Sequence, residues 1–427
     1  MKPTVLGFAG MTHLGLVSAI AASEKGFKVV AFDLDALKIE SISQGRYPVS
    51  EPQLEDLASK NASRLTFSSN AAALSDCDVI YVAPDVPTDD RGSSDLGPVD
   101  RLLDLVFDAS RKDAIIVVLS QVPPGFTRGR QRDGRQLYYQ VETLIFGRAI
   151  ERALHPERYI VGCAEPGSSL PPAFAEFLAA HQCPILVMRY ESAELAKISI
   201  NMCLVASVST ANTLAELCER LGADWSEIVP ALRLDRRIGQ HAYLAAGLGI
   251  AGGNLERDLA TVCSLADRHQ TDAGVVRAWI ANSGHRREWA RRTIQTAVLD
   301  ANPDASLAIW GLAYKENTHS VKNSPSLATI SSLRQSGLTV HDPLVDAMKV
   351  GLTEVKQESD PIAALTGADA LLILTPWPQY REIPPMDIAQ AMHGRVVLDP
   401  YSVLDRRAAE SAGLEVHTLG RAPNRIG

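Results

Sequence analysis

Aliphatic and β-branched runs alternate with helix-period segments through the first third of the chain. "TVLGFAG" is followed by "LGLVSAIAASEKG" and "KVVAFDLD", and "DVIYVAP", "AIIVVLS", "RYIVGC" and "CPILVMR" come later. Continuous apolar strands separated by helices predict a parallel sheet covered on both faces. From about Glu191 the period changes. "ESAELAKISINMCLVASVSTANTLAELCERLG" keeps helical spacing over roughly eight turns, with Gly222 as its stop signal. More helix is expected to about residue 300. A second α/β pattern then opens at "SLAIWGLAY" and runs through "LTVHD", "ADALLILTP" and "RVVLDP". The polar, Arg-rich stretch "SQVPPGFTRGRQRDGRQLYY" reads as a mobile loop. The order is α/β, helical, α/β.

Composition narrows the class. A chain of 427 residues exceeds what one core can serve, so two or three domains are expected. With 46% hydrophobic and 22% charged residues it reads as an ordinary globular protein, and no apolar run is expected to cross a bilayer. "MKPTVLGFAG" runs straight into a strand and does not read as a signal peptide. A net charge of −8 without a Lys/Arg block argues against nucleic acid. Six cysteines, with no CxxC pair, suit reduced and mostly buried thiols rather than disulfides or zinc. No metal site is expected, and the default compartment is the cytoplasm.

The first strand–helix turn carries the first chemical signal. Gly10 and Gly15 frame G-M-T-H-L-G, with Thr12 and Leu14 between them. Such a turn brings backbone amides to a pyrophosphate, and Thr12 sits where a second glycine would let the backbone approach. Asp33, 23 residues after Gly10, ends the second strand and is placed to bind a ribose 2′-hydroxyl, which favours NAD over NADP. The plainer alternative is a glycine turn needed only for helix–strand packing. His13, His241 and His319 each stand in a different segment and read as structural or solvated.

Several ordered patterns then converge. "FDLDALKIESISQGRYPVSEPQLEDL", "VPPGFT", "HPERYIVG", "SAELAKISIN", "LDRRIGQ", "GLGIAGGNLERD", "WGLAYKENTHSVKNSPS" and "LILTPWPQYREI" fall in sequence along the chain. Together they resemble the UDP-glucose/GDP-mannose dehydrogenase family, the nucleotide-sugar 6-dehydrogenases, over nearly the whole length. The resemblance implies an α/β protein of three parts. These are an N-terminal Rossmann-like NAD-binding domain (1–188), a central long-helix dimerisation domain (189–300) and a C-terminal Rossmann-like UDP-sugar-binding domain (301–427). It implies a homodimer, NAD as cofactor and a UDP-hexose as substrate. Members oxidise a sugar C6 alcohol to a carboxylate with two NAD⁺, through a cysteine thioester.

Carried over residue by residue, the resemblance assigns Lys38 and Gln121 to the cofactor, beside Gly10, Thr12, Leu14, Gly15 and Asp33. Lys197 falls on the active-site lysine, where an ammonium stabilises negative charge on the reacting oxygen. Asn201, one helical turn on, shares its face. Asp258 falls on the loop aspartate and Glu142 on a water-activating glutamate, whose companion position is Phe146. Arg237, Tyr243, Gly249, Gly252 and Lys315 fall on substrate positions, where the cations suit a diphosphate.

Asn254 stands where the family has its cysteine, and an amide has no nucleophilic lone pair to offer an aldehyde. Cys263, nine residues on, reads as a core thiol. Arg257 replaces a lysine, and Tyr401 and Ser402 replace Arg and Asn. The expectation is an NAD-dependent dehydrogenase acting on the CH–OH group of a UDP-hexose without the thioester route, so stopping at two electrons or oxidising and re-reducing its substrate. The alternative is a nucleotide-sugar-binding homologue with little redox activity, in a regulatory or assembly role.

Overall fold

A computed structural model describes residues 3–89, 94–251, 253–333 and 337–423. The chain divides into two compact units, one up to Ile200 and the other from Asn201 onward, so the division falls inside the long helix Tyr190–Leu221.

The N-terminal unit is built on eight strands: β1 (Val5–Ala9), β2 (Lys28–Phe32), β3 (Leu65–Ser68), β4 (Val79–Val82), β5 (Ile115–Val118), β6 (Gln136–Gln140), β7 (Tyr159–Cys163) and β8 (Ile185–Arg189). Their spatial order is β3-β2-β1-β4-β5-β6-β7-β8, parallel except where β6 meets β7. The order reverses between β1 and β4, which opens a crevice at the carboxyl ends of those strands. Strands β4 and β5 are buried at every position, as the apolar runs require. The first helix, His13–Glu24, has ten of its twelve residues buried, so it covers the sheet with nearly its whole circumference.

The C-terminal unit repeats the device. Strands β9 (Leu307–Trp310), β10 (Leu338–His341), β11 (Lys356–Gln357), β12 (Ala370–Ile373), β13 (Val396–Leu398) and β14 (Glu415–His417) take the order β11-β10-β9-β12-β13-β14, all parallel. The first turns of the two sheets match in detail. Gly10 N–H donates to Phe32 O at 2.8 Å and Gly311 N–H to His341 O at 2.7 Å. Met11 N–H donates to Asp33 at 2.7 Å and Leu312 N–H to Asp342 at 2.6 Å. Helices Asn254–His269 and Gly274–Arg287 also belong to this unit.

Two expectations are corrected. The Arg-rich stretch contains strand β6: Leu137, Tyr139 and Gln140 are buried, and parallel pairing with β5 satisfies a backbone whose Arg and Gln neighbours disguise it. The long helix is also apolar enough over 18 residues, at mean hydropathy 1.3, to cross a membrane by length and composition. Its buried polar side chains nonetheless bind this chain's own groups: Glu194 accepts from Gly125 and Thr127, and Asn212 accepts from Gly247 N at 2.8 Å.

Candidate active site

The dinucleotide turn lies at the carboxyl end of β1. Gly10 has φ +98°, and a Cβ there would come within 2.7 Å of Pro84 N; one on Gly15 would come within 1.8 Å of Gly10 O. Both positions therefore exclude any side chain. Thr12 caps the first helix from extended backbone, and its Oγ1 accepts from Asp85 N at 2.8 Å. Asp85 was missed at sequence level, although a polar residue just past the buried run "DVIYVAP" sits at the switch point. Its carboxylate accepts from His13 N at 3.1 Å. Asp33, 8% exposed, accepts from Met11 N and, at 2.9 Å, from Lys38 Nζ, so two of the expected cofactor residues are ion-paired. Leu14 is buried in the first helix and Gln121 is half-buried beyond the carboxyl end of β5.

These features fit a dinucleotide: a glycine cradle that a Cβ would fill, a helix N-terminus and an acidic residue ending β2. A cavity of about 50 Å³ in the same unit is bordered by Leu14, Tyr81, Gln140, Glu142, Arg152 and His181. Its lining therefore includes Leu14, expected at the cofactor, and Glu142, expected at the reacting centre. Burial lowers the His181 pKa to about 4, so its imidazole is neutral.

Glu142 follows β6, and its Oε2 lies 3.4 Å from Lys197 Nζ, with both side chains largely buried. Its other oxygen accepts from Leu144 N. A further carboxylate, Glu51, supports this segment: it accepts from His13 Nε2 at 2.8 Å, Gly147 N at 2.9 Å and Ala149 N at 3.1 Å. Phe146 stacks on His13 with centroids 4.3 Å apart. His13 is thus held by a carboxylate and a ring, and Phe146, 53% exposed, covers it from the solvent side.

In the C-terminal unit, Asn254 is the exposed first residue of its helix, preceded by Gly253 at φ +92°. A Cβ on Gly253 would meet Lys322 Cε at 3.1 Å. The helix start is clamped by Glu256, which accepts from Arg287 at 2.9 Å and from Asn323; Arg287 also donates to Ile250 O at 2.6 Å. Asp258 is 1% exposed, accepts from Asn201 Nδ2 at 2.5 Å and pairs with Arg257 at 3.3 Å. Asn201 and Asp258 therefore come together, 57 residues apart in sequence.

The residues expected at the substrate are more dispersed. Tyr243 is exposed, and Arg237 is exposed with its guanidinium turned onto Asp235 at 2.6 Å. Gly249, at φ +84°, is required by Ser283, whose carbonyl would lie 2.5 Å from a Cβ. Lys315 is half-buried with its ammonium 5.7 Å from the Tyr314 ring centre. Gly252 lies outside the described residues.

Among the described residues the cysteines are all free, and Cys263 packs beside the Val205–Leu259–Val276 cluster, about 13.5 Å along the helix from Asn254. Burial pushes the Cys77 thiol up to about 12 and raises Cys163 as well, the opposite of an activated nucleophile.

A doubly wound sheet with a glycine cradle and a strand-end aspartate is the build of a dinucleotide-binding domain, and the comparisons give the class of protein. The NAD-binding domain of the UDP-glucose/GDP-mannose dehydrogenase family matches residues 4–177, its central domain residues 191–283 and its UDP-binding domain residues 308–406. UDP-glucose 6-dehydrogenase TuaD of Bacillus subtilis is 31% identical, across 96% of this chain and 92% of that protein. A UDP-glucose 6-dehydrogenase of Pseudomonas aeruginosa is 28% identical, across 96% of both. The structure of a UDP-glucose dehydrogenase from the hyperthermophilic archaeon Pyrobaculum islandicum superposes with a TM-score of 0.85 at 27% identity, over 99% of this chain and 98% of that one. The chain belongs to the UDP-glucose/GDP-mannose dehydrogenase family. It is an NAD-dependent nucleotide-sugar dehydrogenase.

Proposed function

We propose that the protein oxidises the C6 hydroxyl of a UDP-hexose to the aldehyde, without a thiol intermediate, and stops at two electrons. Asn254 carries this reading: the residue opening the glycine-loop helix is an amide, where a nucleophile would be needed to hold the aldehyde for a second oxidation. NAD⁺ at the Gly10–Gly15 turn supplies the hydride acceptor.

In this proposal Lys197 and Asn201, one turn apart on one helix, hold the C6 oxygen. Asn201 gives one of its two amide N–H groups to Asp258, and its carbonyl oxygen is the group that accepts from the substrate hydroxyl. The ammonium of Lys197 stabilises the alkoxide as the O–H bond breaks. Glu142, beside that ammonium, takes the proton through a water molecule. One C–H bond and one O–H bond are lost; NAD⁺ held at the Gly10–Gly15 turn would take up the hydride, and the proton passes to Glu142. Arg237, Tyr243, Gly249, Gly252 and Lys315 are assigned to the nucleotide sugar.

The deciding experiment incubates the protein with NAD⁺ and UDP-hexoses, counts NADH per sugar and weighs the product. One NADH with an aldehyde is expected; two NADH with a uronate would overturn the reading.

A second reading, a nucleotide-sugar-binding homologue with little redox activity, is favoured by the carboxylate of Asp85 on the first helix N-terminus. Saturable UDP-sugar binding without saturable NAD⁺ binding, by calorimetry, selects it. We further assign a homodimer, supported by exposed Leu214, Leu217 and Leu221 on the long helix; the mass from sedimentation equilibrium tests it. A cytoplasmic location stays part of the same proposal.

A further inference from the structure

The N-terminus of the first helix already holds an anion of this chain. Asp85 Oδ2 accepts from His13 N–H, the first amide of a twelve-residue helix, at 3.1 Å. Thr12 Oγ1 accepts from the Asp85 N–H at 2.8 Å, and the peptide before it is pressed against Gly10. The turn after β4 is thereby pinned over the glycine turn, with its carboxylate at the positive end of the helix. A pyrophosphate approaching the same amides carries two negative charges and meets a third.

We propose that Asp85 sets the cofactor affinity of this protein, as a carboxylate that competes with the NAD pyrophosphate for the first helix N-terminus. The inference rests on placing the NAD pyrophosphate on that turn. Asp85 is exposed, so its side chain can swing into water when the cofactor enters. Binding then forfeits the carboxylate–amide hydrogen bond and brings like charges close. Because the repulsion acts across solvent, salt screens it. Thr12 acts through Asp85 rather than through its own bulk: its hydroxyl fixes the backbone that presents the carboxylate.

The test is calorimetric titration of NAD⁺ into the full chain, as wild type, Asp85→Ala, Asp85→Asn and Asp33→Ala, at low and at high salt. Circular dichroism checks folding, which an exposed side chain should not disturb. Asp85→Ala is expected to bind NAD⁺ roughly tenfold more tightly than wild type at low salt. Asp85→Asn keeps an acceptor for His13 N–H without the charge and should fall between the two. The gap should narrow at high salt, because only the wild type gains from screening. Equal or weaker binding by Asp85→Ala overturns the proposal. Asp33→Ala separates the two layers of the argument. Loss of binding there supports NAD on this turn, whereas wild-type affinity removes the placement and the proposal with it.

Discussion

Glu51 is the least conspicuous carboxylate near the site, and its removal should be costly. It is 7% exposed and accepts three hydrogen bonds, from His13 Nε2, Gly147 N and Ala149 N. In Glu51→Ala the Gly147 amide, which is exposed, can turn to water. The Ala149 amide is fully buried and keeps no acceptor, which costs about 1–3 kcal/mol. The charge-assisted bond to His13 contributes about 1.5–3 kcal/mol more, partly recovered through the 9% of that side chain that stays exposed. A net loss of about 3 kcal/mol follows. In a unit of this size, that lowers the melting temperature by roughly 6–12 °C. Glu51→Gln keeps one oxygen acceptor and should lose about half as much. The assay is thermal unfolding at neutral pH, with hydrogen exchange across residues 142–149, the segment carrying Glu142. Melting within about 2 °C of wild type, with unchanged exchange, would refute the account of Glu51 as the anchor of that segment.

Asn254→Cys places a thiol at the first turn of a helix, where the N-terminus favours thiolate; the expected result is a rise from one to two NADH per sugar, with uronate found by mass. A ratio still at one would show that more than this side chain separates the protein from four-electron oxidation. Glu194 is fully buried, and desolvation raises its pKa above the usual glutamate range despite its bonds to Thr127 and Gly125. A raised folded pKa means its contribution is complete below the unfolded value and lost as pH climbs through the folded one. Urea midpoints between about pH 4 and pH 7 should therefore decline less steeply in Glu194→Gln than in wild type. Parallel declines would contradict this.

Most of the fold was legible because its signals are local. Strands such as "VIYV" and "IIVV" are buried at every position and therefore read as uninterrupted apolar runs. Strand β6 was not legible, because only its tertiary neighbours tell a paired Gln-Leu-Tyr-Tyr-Gln from a loop. The site divides in the same way. Gly10, Gly15 and Asp33 announce themselves by spacing, since a tight glycine turn and the aspartate ending the next strand are read from residues near each other in the chain. Asp85 and Glu51 do not, because the amides they bind lie 72 and 98 residues away.

The sequence by itself determined the alternation of strand and helix, the order of the three regions and the amide at position 254, all properties of neighbouring residues. Only the tertiary structure decided which carboxylate meets which donor. It set Asp258 against Asn201, Glu142 against Lys197 and Asp85 on the amide of His13. Such pairings arise because a buried polar group must find a partner within hydrogen-bond reach, and the packing of strands and helices, not distance along the chain, determines which groups are within it.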